Sequence, residues 1–67
     1  MIEIFINGES RSLPSAHTIT DVVSALSLVP SMTLIEHNGS ALRRSDWPTT
    51  LVTHNDCLEI LQVAAGG

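Results

Sequence analysis

The chain has 67 residues, of which 43% are hydrophobic and 15% are charged, and its formal net charge is −4. This length makes one small domain, and the three basic residues, Arg11, Arg43 and Arg44, are too few for the cationic surface that nucleic acid or an anionic membrane requires. The single cysteine, Cys57, cannot form an internal disulfide, and neither a signal peptide nor an apolar run of bilayer-spanning length is visible. We therefore expect a cytoplasmic globular protein that binds neither nucleic acid nor membranes.

The N-terminus is predicted to form a β-hairpin. Residues 1–7, MIEIFIN, alternate with period two, as in a strand with one buried face. Asn7-Gly8 follows, and a two-residue hairpin turn favours this pair because both positions need positive φ. Residues 9–13, ESRSL, then form the partner strand, whose polar character indicates a sheet edge.

One amphipathic helix is predicted after the hairpin. Thr18 suits the N-cap position, and Asp21 suits the reciprocal position of a capping box three residues later. Pro30 is the latest residue at which this helix can stop. Four apolar residues at helical spacing predict a buried stripe, namely Ile19, Val22, Val23 and Leu26.

The second half of the chain is predicted to contain three extended segments. Residues 32–37 form a strand that ends in a second turn, Asn38-Gly39, and residues 40–44 form a short return segment. Residues 57–63, CLEILQV, form the last strand. The order of elements is therefore β-β-α-β-β-β.

The loop between the last two extended segments is predicted to pack beneath the domain. Residues 45–50 form a loop or a 3₁₀ turn, and residues 51–52 tuck under the core. We expect Trp47 to pack in a separate small cluster with Leu42 and Leu51.

The pattern predicts an α+β fold of the ubiquitin-like β-grasp type, with a mixed sheet of four or five strands and one helix across one face. The first and last strands are the richest in aliphatic residues, so they lie side by side in the centre of the sheet. Residues 1–63 form this domain, and residues 64–67 form a flexible tail. The helix covers the face that carries Ile2, Ile4, Ile6, Leu58 and Ile60.

The opposite face of the sheet is predicted to dock partner proteins. Strand parity places Phe5, Glu36, Glu59 and Leu61 there, together with Glu3, so that apolar groups are rimmed by carboxylates. A small domain that exposes apolar side chains in this way typically uses them for an interaction.

The other reactive side chains do not predict a catalytic or metal site. His17, His37 and His54 are widely separated and lack the spacing of metal ligands. Cys57 has no basic neighbour in the sequence that could activate its thiol. We expect no catalytic residue, no metal and no bound cofactor.

The chain ends on Ala64, Ala65, Gly66 and Gly67, which offer no large side chain to bury. Such a tail is expected to project from the domain, and an extended tetrapeptide reaches about 13 Å. Adenylation by ATP would activate its terminal carboxylate, after which a sulfur nucleophile would give a thiocarboxylate and a lysine amine an isopeptide. Gly67 is therefore the candidate covalent site.

The motifs together resemble those of a known family. They are Asn7-Gly8, the stretch from Thr18 to Asp21, Asn38-Gly39, the stretch from Arg44 to Trp47, Asn55-Asp56 and the terminal Gly66-Gly67. Along essentially the whole chain this pattern resembles the ThiS family, the sulfur carrier proteins of thiamine biosynthesis. The chain departs mildly from the family at Asn55, where a glycine is usual.

The resemblance implies a role for Gly67. An E1-like adenylyltransferase would adenylate it, a sulfur donor such as a cysteine desulfurase would supply the sulfur, and the thiocarboxylate would pass that sulfur to thiazole synthase. ATP would belong to the activating enzyme. The carrier would be a monomer in transient complexes.

Other functions share the same chemistry and stay open at this point. The small subunit of molybdopterin synthase has the same fold and tail, although it is usually longer and lacks the arginine-to-tryptophan pattern. A carrier for another thiolation pathway and a ubiquitin-like protein modifier use the same activated carboxylate. An inert interaction module would not need Gly67 at all.

Overall fold

A mixed sheet of five strands forms the body of the protein within residues 1–14 and 18–63, the part of the chain that the computed structural model describes. Its strands are β1 Ile2–Ile6, β2 Glu9–Leu13, β3 Thr33–His37, β4 Ser40–Leu42 and β5 Cys57–Gln62. The helix is α1 Ile19–Ala25, and two 3₁₀ segments span Pro30–Met32 and Arg44–Thr49. The strand order is β2-β1-β5-β3-β4, with β1 and β5 parallel and the other pairs antiparallel. The ubiquitin-like β-grasp prediction is confirmed.

Both Asn-Gly turns have the backbone conformation that their sequences predict. The φ angles are 52° at Asn7 and 83° at Gly8, and 50° at Asn38 and 87° at Gly39. Positive φ at both central residues is the geometry of a type I′ turn, whose twist matches that of the flanking strands. Each turn therefore fixes the register of its hairpin.

The boundaries of α1 are set by its own side chains and by one unusual residue. The N–H of Asp21 donates to Oγ1 of Thr18 at 3.4 Å, and the N–H of Thr18 donates to Oδ2 of Asp21 at 3.1 Å, which completes the predicted capping box. At the other end, Ser27 has φ of 56° and the N–H of Leu28 donates to the C=O of Val23 at 3.0 Å. This Schellman-type ending stops the helix before Pro30. No helix in the described ranges is long and apolar enough to cross a membrane.

The core lies between α1 and one face of the sheet. Ile2 and Ile60 pack at its margin and are partly buried. This arrangement confirms the predicted helix-covered face. The buried apolar residues of the described chain are Ile4, Ile6, Leu13, Ile19, Val22, Val23, Ile35, Trp47, Val52 and Leu58.

The segment around Trp47 differs from its prediction. Trp47 belongs to the main core, whereas Leu51 is 66% exposed, so the separate cluster with Leu51 was wrong. Val52 is fully buried as expected. The N–H of Ile19 donates to the C=O of Thr50 at 3.0 Å and holds this segment extended beside the start of α1. Adjacent side chains of an extended segment point in opposite directions, so only one of the two residues can enter the core.

Candidate functional site

Strand β5 is the element on which the candidate site depends, because it is the last strand before the predicted reactive terminus in the sequence. It stays bonded to its neighbour as far as Val63, whose N–H donates to the C=O of Met32 at 2.8 Å. The predicted tail, with Ala64, Ala65, Gly66 and the covalent site Gly67, lies outside the described residues. The structure thus defines the surface that surrounds the start of the tail.

The face of the sheet that α1 leaves uncovered carries an exposed leucine pair beside that start. In the register of β3 and β5, Leu34 lies opposite Leu61, and the two side chains are 58% and 61% exposed. Glu36 lies opposite Glu59 in the next position of the same face. These four residues, with Ala41, line a shallow groove of about 410 Å³.

Two like charges therefore stand directly across from each other in this groove. Cross-strand pairs of like charge are destabilising because the side chains of opposed residues are close together. Arg11, on β2, pairs with Ile4 and so shares the parity of the helix-covered face. We call the face that α1 leaves uncovered the open face. Within the described strands, no cationic side chain on the open face compensates the charges of Glu36 and Glu59.

The predicted docking residues do not all lie together. Glu36, Glu59 and Leu61 are exposed and share one patch, but Phe5 lies opposite Cys57 and is half-buried. Cys57 precedes Leu61 by four residues, a separation of about 13 Å along a strand. Leu34, which the sequence interpretation missed, takes the place beside Leu61. Its signal was the period-two spacing from Glu36 in β3, but the partner strand's register was needed to pair it with Leu61.

A buried carboxylate fixes the other end of β5. Oδ2 of Asp56 lies 2.8 Å from Nε2 of His37 and accepts from the N–H of Thr53 at 2.9 Å, while Oδ1 accepts from Nδ2 of Asn38 and Oγ1 of Thr53, both at 3.1 Å. Burial alone would raise the pKa of Asp56. The hydrogen bonds from His37, Thr53 and Asn38 outweigh it and lower the pKa from 3.8 to about 2.

The two turn asparagines also bind β5 through their side chains. The N–H of Ile60 donates to Oδ1 of Asn7 at 2.7 Å, and Nδ2 of Asn7 donates to the C=O of Ile60 at 3.1 Å. The N–H of Cys57 donates to Oδ1 of Asn38 at 2.8 Å. Asn7 and Asn38 thus serve twice, once through positive φ and once as hydrogen-bonding partners of the central strand.

The remaining titratable side chains have structural surroundings. His54 accepts a hydrogen bond at Nδ1 from the N–H of Glu3 at 3.1 Å, His37 contacts Asp56, and His17 lies outside the described residues. Cys57 is a free, exposed thiol. In residues 1–14 and 18–63 no three His, Cys, Asp or Glu side chains are grouped in a way that could hold a metal ion.

Comparison with known proteins places the chain in a family. The ThiS family model matches residues 4–67. The crystal structure of the thiamine biosynthesis protein (ThiS) of Geobacter metallireducens is 26% identical, has a TM-score of 0.85, and is matched over 98% of this chain and 100% of that one. The solution NMR structure of a thiamine biosynthesis protein from Geobacter metallireducens, also 26% identical, has a TM-score of 0.81 over 98% and 88% of the two chains. An uncharacterized protein, ycf40, of Trieres chinensis is 24% identical over 63 residues, which is 94% of this chain and 86% of that protein. Because the family model matches nearly all of its length, the chain belongs to the ThiS family.

Proposed function

We propose that the protein is a sulfur carrier of thiamine biosynthesis that works through the carboxylate of Gly67. The observation that carries this proposal is the family match over residues 4–67, which ends on Gly66-Gly67. The β-grasp body supports it, because β5 is the central strand of the sheet and ends at Gln62, five residues before Gly67 in the sequence. The protein is a cosubstrate that other enzymes load and unload.

The proposed chemistry needs no side chain of this protein. A carboxylate oxygen of Gly67 attacks the α-phosphorus of ATP on an E1-like adenylyltransferase, and pyrophosphate leaves. The terminal sulfur of a persulfide, supplied through a donor such as a cysteine desulfurase, attacks the acyl carbon and AMP leaves. A thiol then cleaves the resulting acyl disulfide and frees the thiocarboxylate, whose sulfur passes to thiazole synthase. ATP is a substrate of the activating enzyme and is not bound by the carrier.

The open face is the surface that we assign to docking these enzymes. Leu34 and Leu61 are exposed next to the start of the tail, and Glu36 and Glu59 repel each other beside them. A partner with an apolar patch flanked by lysine or arginine would cover the leucines and neutralise the carboxylates. Phe5 would contribute at the far margin of this surface. The carrier remains a monomer between transient encounters.

Intact mass spectrometry tests the carrier function. The protein is incubated with an E1-like adenylyltransferase, ATP and a cysteine desulfurase with cysteine, and we expect a mass increase equal to one oxygen replaced by sulfur. The Gly67-deleted chain should give no such product while keeping the unfolding midpoint of the full chain. A ladder of heavier covalent conjugates would indicate a protein modifier instead. An unchanged mass of the full chain would contradict the proposal.

Thiazole synthase distinguishes thiamine from other destinations of the sulfur. The thiocarboxylate form is mixed with thiazole synthase or, in parallel, with the large subunit of molybdopterin synthase, each with its own substrates. We expect the thiocarboxylate to be consumed only in the first mixture. Consumption only in the second would assign the carrier to molybdopterin synthesis.

A further inference from the structure

The backbone N–H and C=O groups of successive residues of β5 point alternately towards β1 and towards β3. On the β1 side, the N–H of Phe5 donates to the C=O of Asp56 and the N–H of Asn7 donates to the C=O of Leu58, both at 2.9 Å. The next residue on that side, Ile60, is bonded at both its N–H and its C=O by the side-chain amide of Asn7. The backbone groups of every second residue of β5 thus face β1, as strand geometry requires.

Gln62 is the next residue in this series, and its N–H and C=O face the same side. β1 has already ended at Ile6, and the chain turns away at Asn7-Gly8. On the other side β5 is still held, since the N–H of Val63 donates to the C=O of Met32. No strand of the described residues lies beside Gln62 on the β1 side. The last part of β5 is therefore an open sheet edge on one side only.

A groove runs along this open edge. Its volume is about 290 Å³, and its apolar lining comes from Ile6, Leu26, Leu28 and Ile60. Arg11, which is exposed, also lines it, next to the exposed Gln62. No acidic side chain of the described chain forms an ion pair with Arg11. The groove therefore offers a sheet edge, apolar contacts and one uncompensated positive charge in the same place.

We propose that this groove receives one extended segment of the activating enzyme, which pairs with β5 at Gln62 and places a carboxylate against Arg11. An unpaired sheet edge is a template for an added strand, with main-chain hydrogen bonds supplying affinity and side-chain pockets supplying selectivity. The guanidinium of Arg11 selects an acidic residue on the added segment. This contact lies on the side of β5 opposite β3 and is separate from the exposed pair Leu34 and Leu61.

The edge lies close in sequence to the tail, and the activating enzyme is the first partner that has to hold that tail. This inference rests on the proposed function, in which an enzyme must grip the chain close to Gly67. Gly67 is the fifth residue after Gln62, and five residues span at most about 18 Å when extended. A main-chain clamp at Gln62 would therefore align the start of the tail with the adenylation site before the reaction.

Two substitutions at Gln62 isolate the main-chain bond. Gln62→Pro removes the N–H that faces the groove, and proline is accepted in a strand where its missing N–H faces away from a partner strand. Gln62→Ala removes the same side chain but keeps the N–H. In pyrophosphate exchange with the E1-like enzyme, we expect Gln62→Pro to raise the KM for the carrier about tenfold over Gln62→Ala, the loss of one net hydrogen bond. Both variants should keep the unfolding midpoint within a few degrees of the wild-type value.

Amide hydrogen exchange on the unaltered protein gives a second, independent readout. The amide of Gln62 should exchange fast in the free carrier and at least about tenfold more slowly in the complex with the enzyme and ATP. The amide of Val63, bonded to Met32, is the internal reference for a strand amide that is protected in both states.

Arg11→Ala tests the charged contact and should raise the KM for the carrier about threefold to tenfold at low salt. Ser12→Ala on the same strand should leave it unchanged, because Ser12 pairs with Glu3, points away from the groove and is not paired with a residue that we assign to docking.

The outcomes separate this inference from the proposed function. If the wild-type chain is not adenylated, both fail. If it is adenylated but Gln62→Pro matches Gln62→Ala and the Gln62 amide keeps its exchange rate, the edge contact alone fails. Slow exchange of Gln62 in the free carrier would also overturn it, because the groove would then already be filled by the chain itself.

Discussion

The two ends of β5 differ in how completely their backbone is bonded. Residues 57–60 have β3 on one side and β1 or the side chain of Asn7 on the other, and Asp56 anchors the turn that leads into them. Residues 61–63 are bonded to β3 and to Met32 on one side only, and Leu61 is exposed. One strand thus changes along its length from core element to accessible edge.

This difference bears on how a small domain could present the reactive terminus that we propose. The first half of β5 carries the fold, so its substitutions should be measured as loss of stability. The second half carries the surfaces that we assign to partners, so its substitutions should be measured as loss of loading. A carrier of this size can separate the two because the transition occurs at Ile60, where β1 has ended and only the side chain of Asn7 continues the pairing.

Two leucines of the same strand test this separation with the largest effect. Leu58 is fully buried, so Leu58→Ala should lower the free energy of unfolding by about 2–5 kcal/mol. Leu61→Ala should change it by less than about 0.5 kcal/mol, because its side chain is already exposed. Urea denaturation followed by the fluorescence of Trp47 measures both.

Loading by the activating enzyme should reverse the order of the two leucines. At a temperature where Leu58→Ala is folded, the enzyme should adenylate this variant with an unchanged KM for the carrier. Leu61→Ala should raise that KM. Leu34 lies opposite Leu61 on the neighbouring strand β3, so Leu34→Ala is the matched variant and should also raise KM. Equal stability losses at Leu58 and Leu61 would contradict the division of β5 into two halves.

The charge on Asp56 should account for an intermediate share of stability. The fold lowers its pKa from the ordinary aspartate value of 3.8 to about 2. The stabilisation is therefore fully present above about pH 4 and is lost as the pH falls from about 4 to about 2. The shift corresponds to about 2 kcal/mol.

Comparison with Asp56→Asn isolates this contribution from the other carboxylates. The variant should be about 2 kcal/mol less stable than the wild type at neutral pH, since an amide has one acceptor oxygen for donors that now reach two. The difference should shrink as the pH is lowered towards 2. A difference that stays constant between pH 7 and pH 2 would show that the charge of Asp56 contributes nothing.

The side chains of Asn7 and Asn38, which bond β5 from the two turns, should each contribute less to the free energy of unfolding than Asp56 does. Asn7→Gly and Asn38→Gly keep a residue that accepts positive φ but remove the side-chain amide, so each should cost about 1 kcal/mol. Asn38→Gly should cost more than Asn7→Gly, because it also removes one donor from the buried Asp56. Denaturation midpoints at neutral pH measure both. Equal values for Asn38→Gly and wild type would mean that the bonds of Asn38 are replaced by water without loss.

Local patterns in the sequence were sufficient for most of the fold. Period-two alternation gave the buried face of β1 and β5, and the Asn-Gly pairs gave both turns. The capping residues Thr18 and Asp21 gave the start of α1. Each of these features depends on residues that are close together along the chain, so the physical signal is local.

The features that the sequence did not reveal depend on pairing between distant segments. Leu34 lies beside Leu61 only because β3 and β5 adopt one particular register. A shift of one residue would move the side chains of the shifted strand to the opposite face of the sheet. The buried network of Asp56 joins a turn to the end of β3, which no local motif predicts. The exposure of Leu51 follows from the hydrogen bond that fixes its segment beside α1.

The smallest predicted effect lies in the turn that begins the well-bonded half of β5. Asn55 has φ of 71°, which lies in the left-handed region that glycine adopts most readily. Asn55→Gly should therefore stabilise the fold by less than about 0.5 kcal/mol, because relief of the positive φ is offset by the greater freedom of glycine in the unfolded chain. Asn55→Ala should instead destabilise it by about 1 kcal/mol, since a β-carbon without the local bonding of asparagine is disfavoured there. Chemical denaturation of the two variants side by side measures the difference. If alanine were as stable as glycine, this turn would relax to negative φ, and the main-chain bond from Asn55 to Glu3 would have to be replaced for β5 to keep its register with β1.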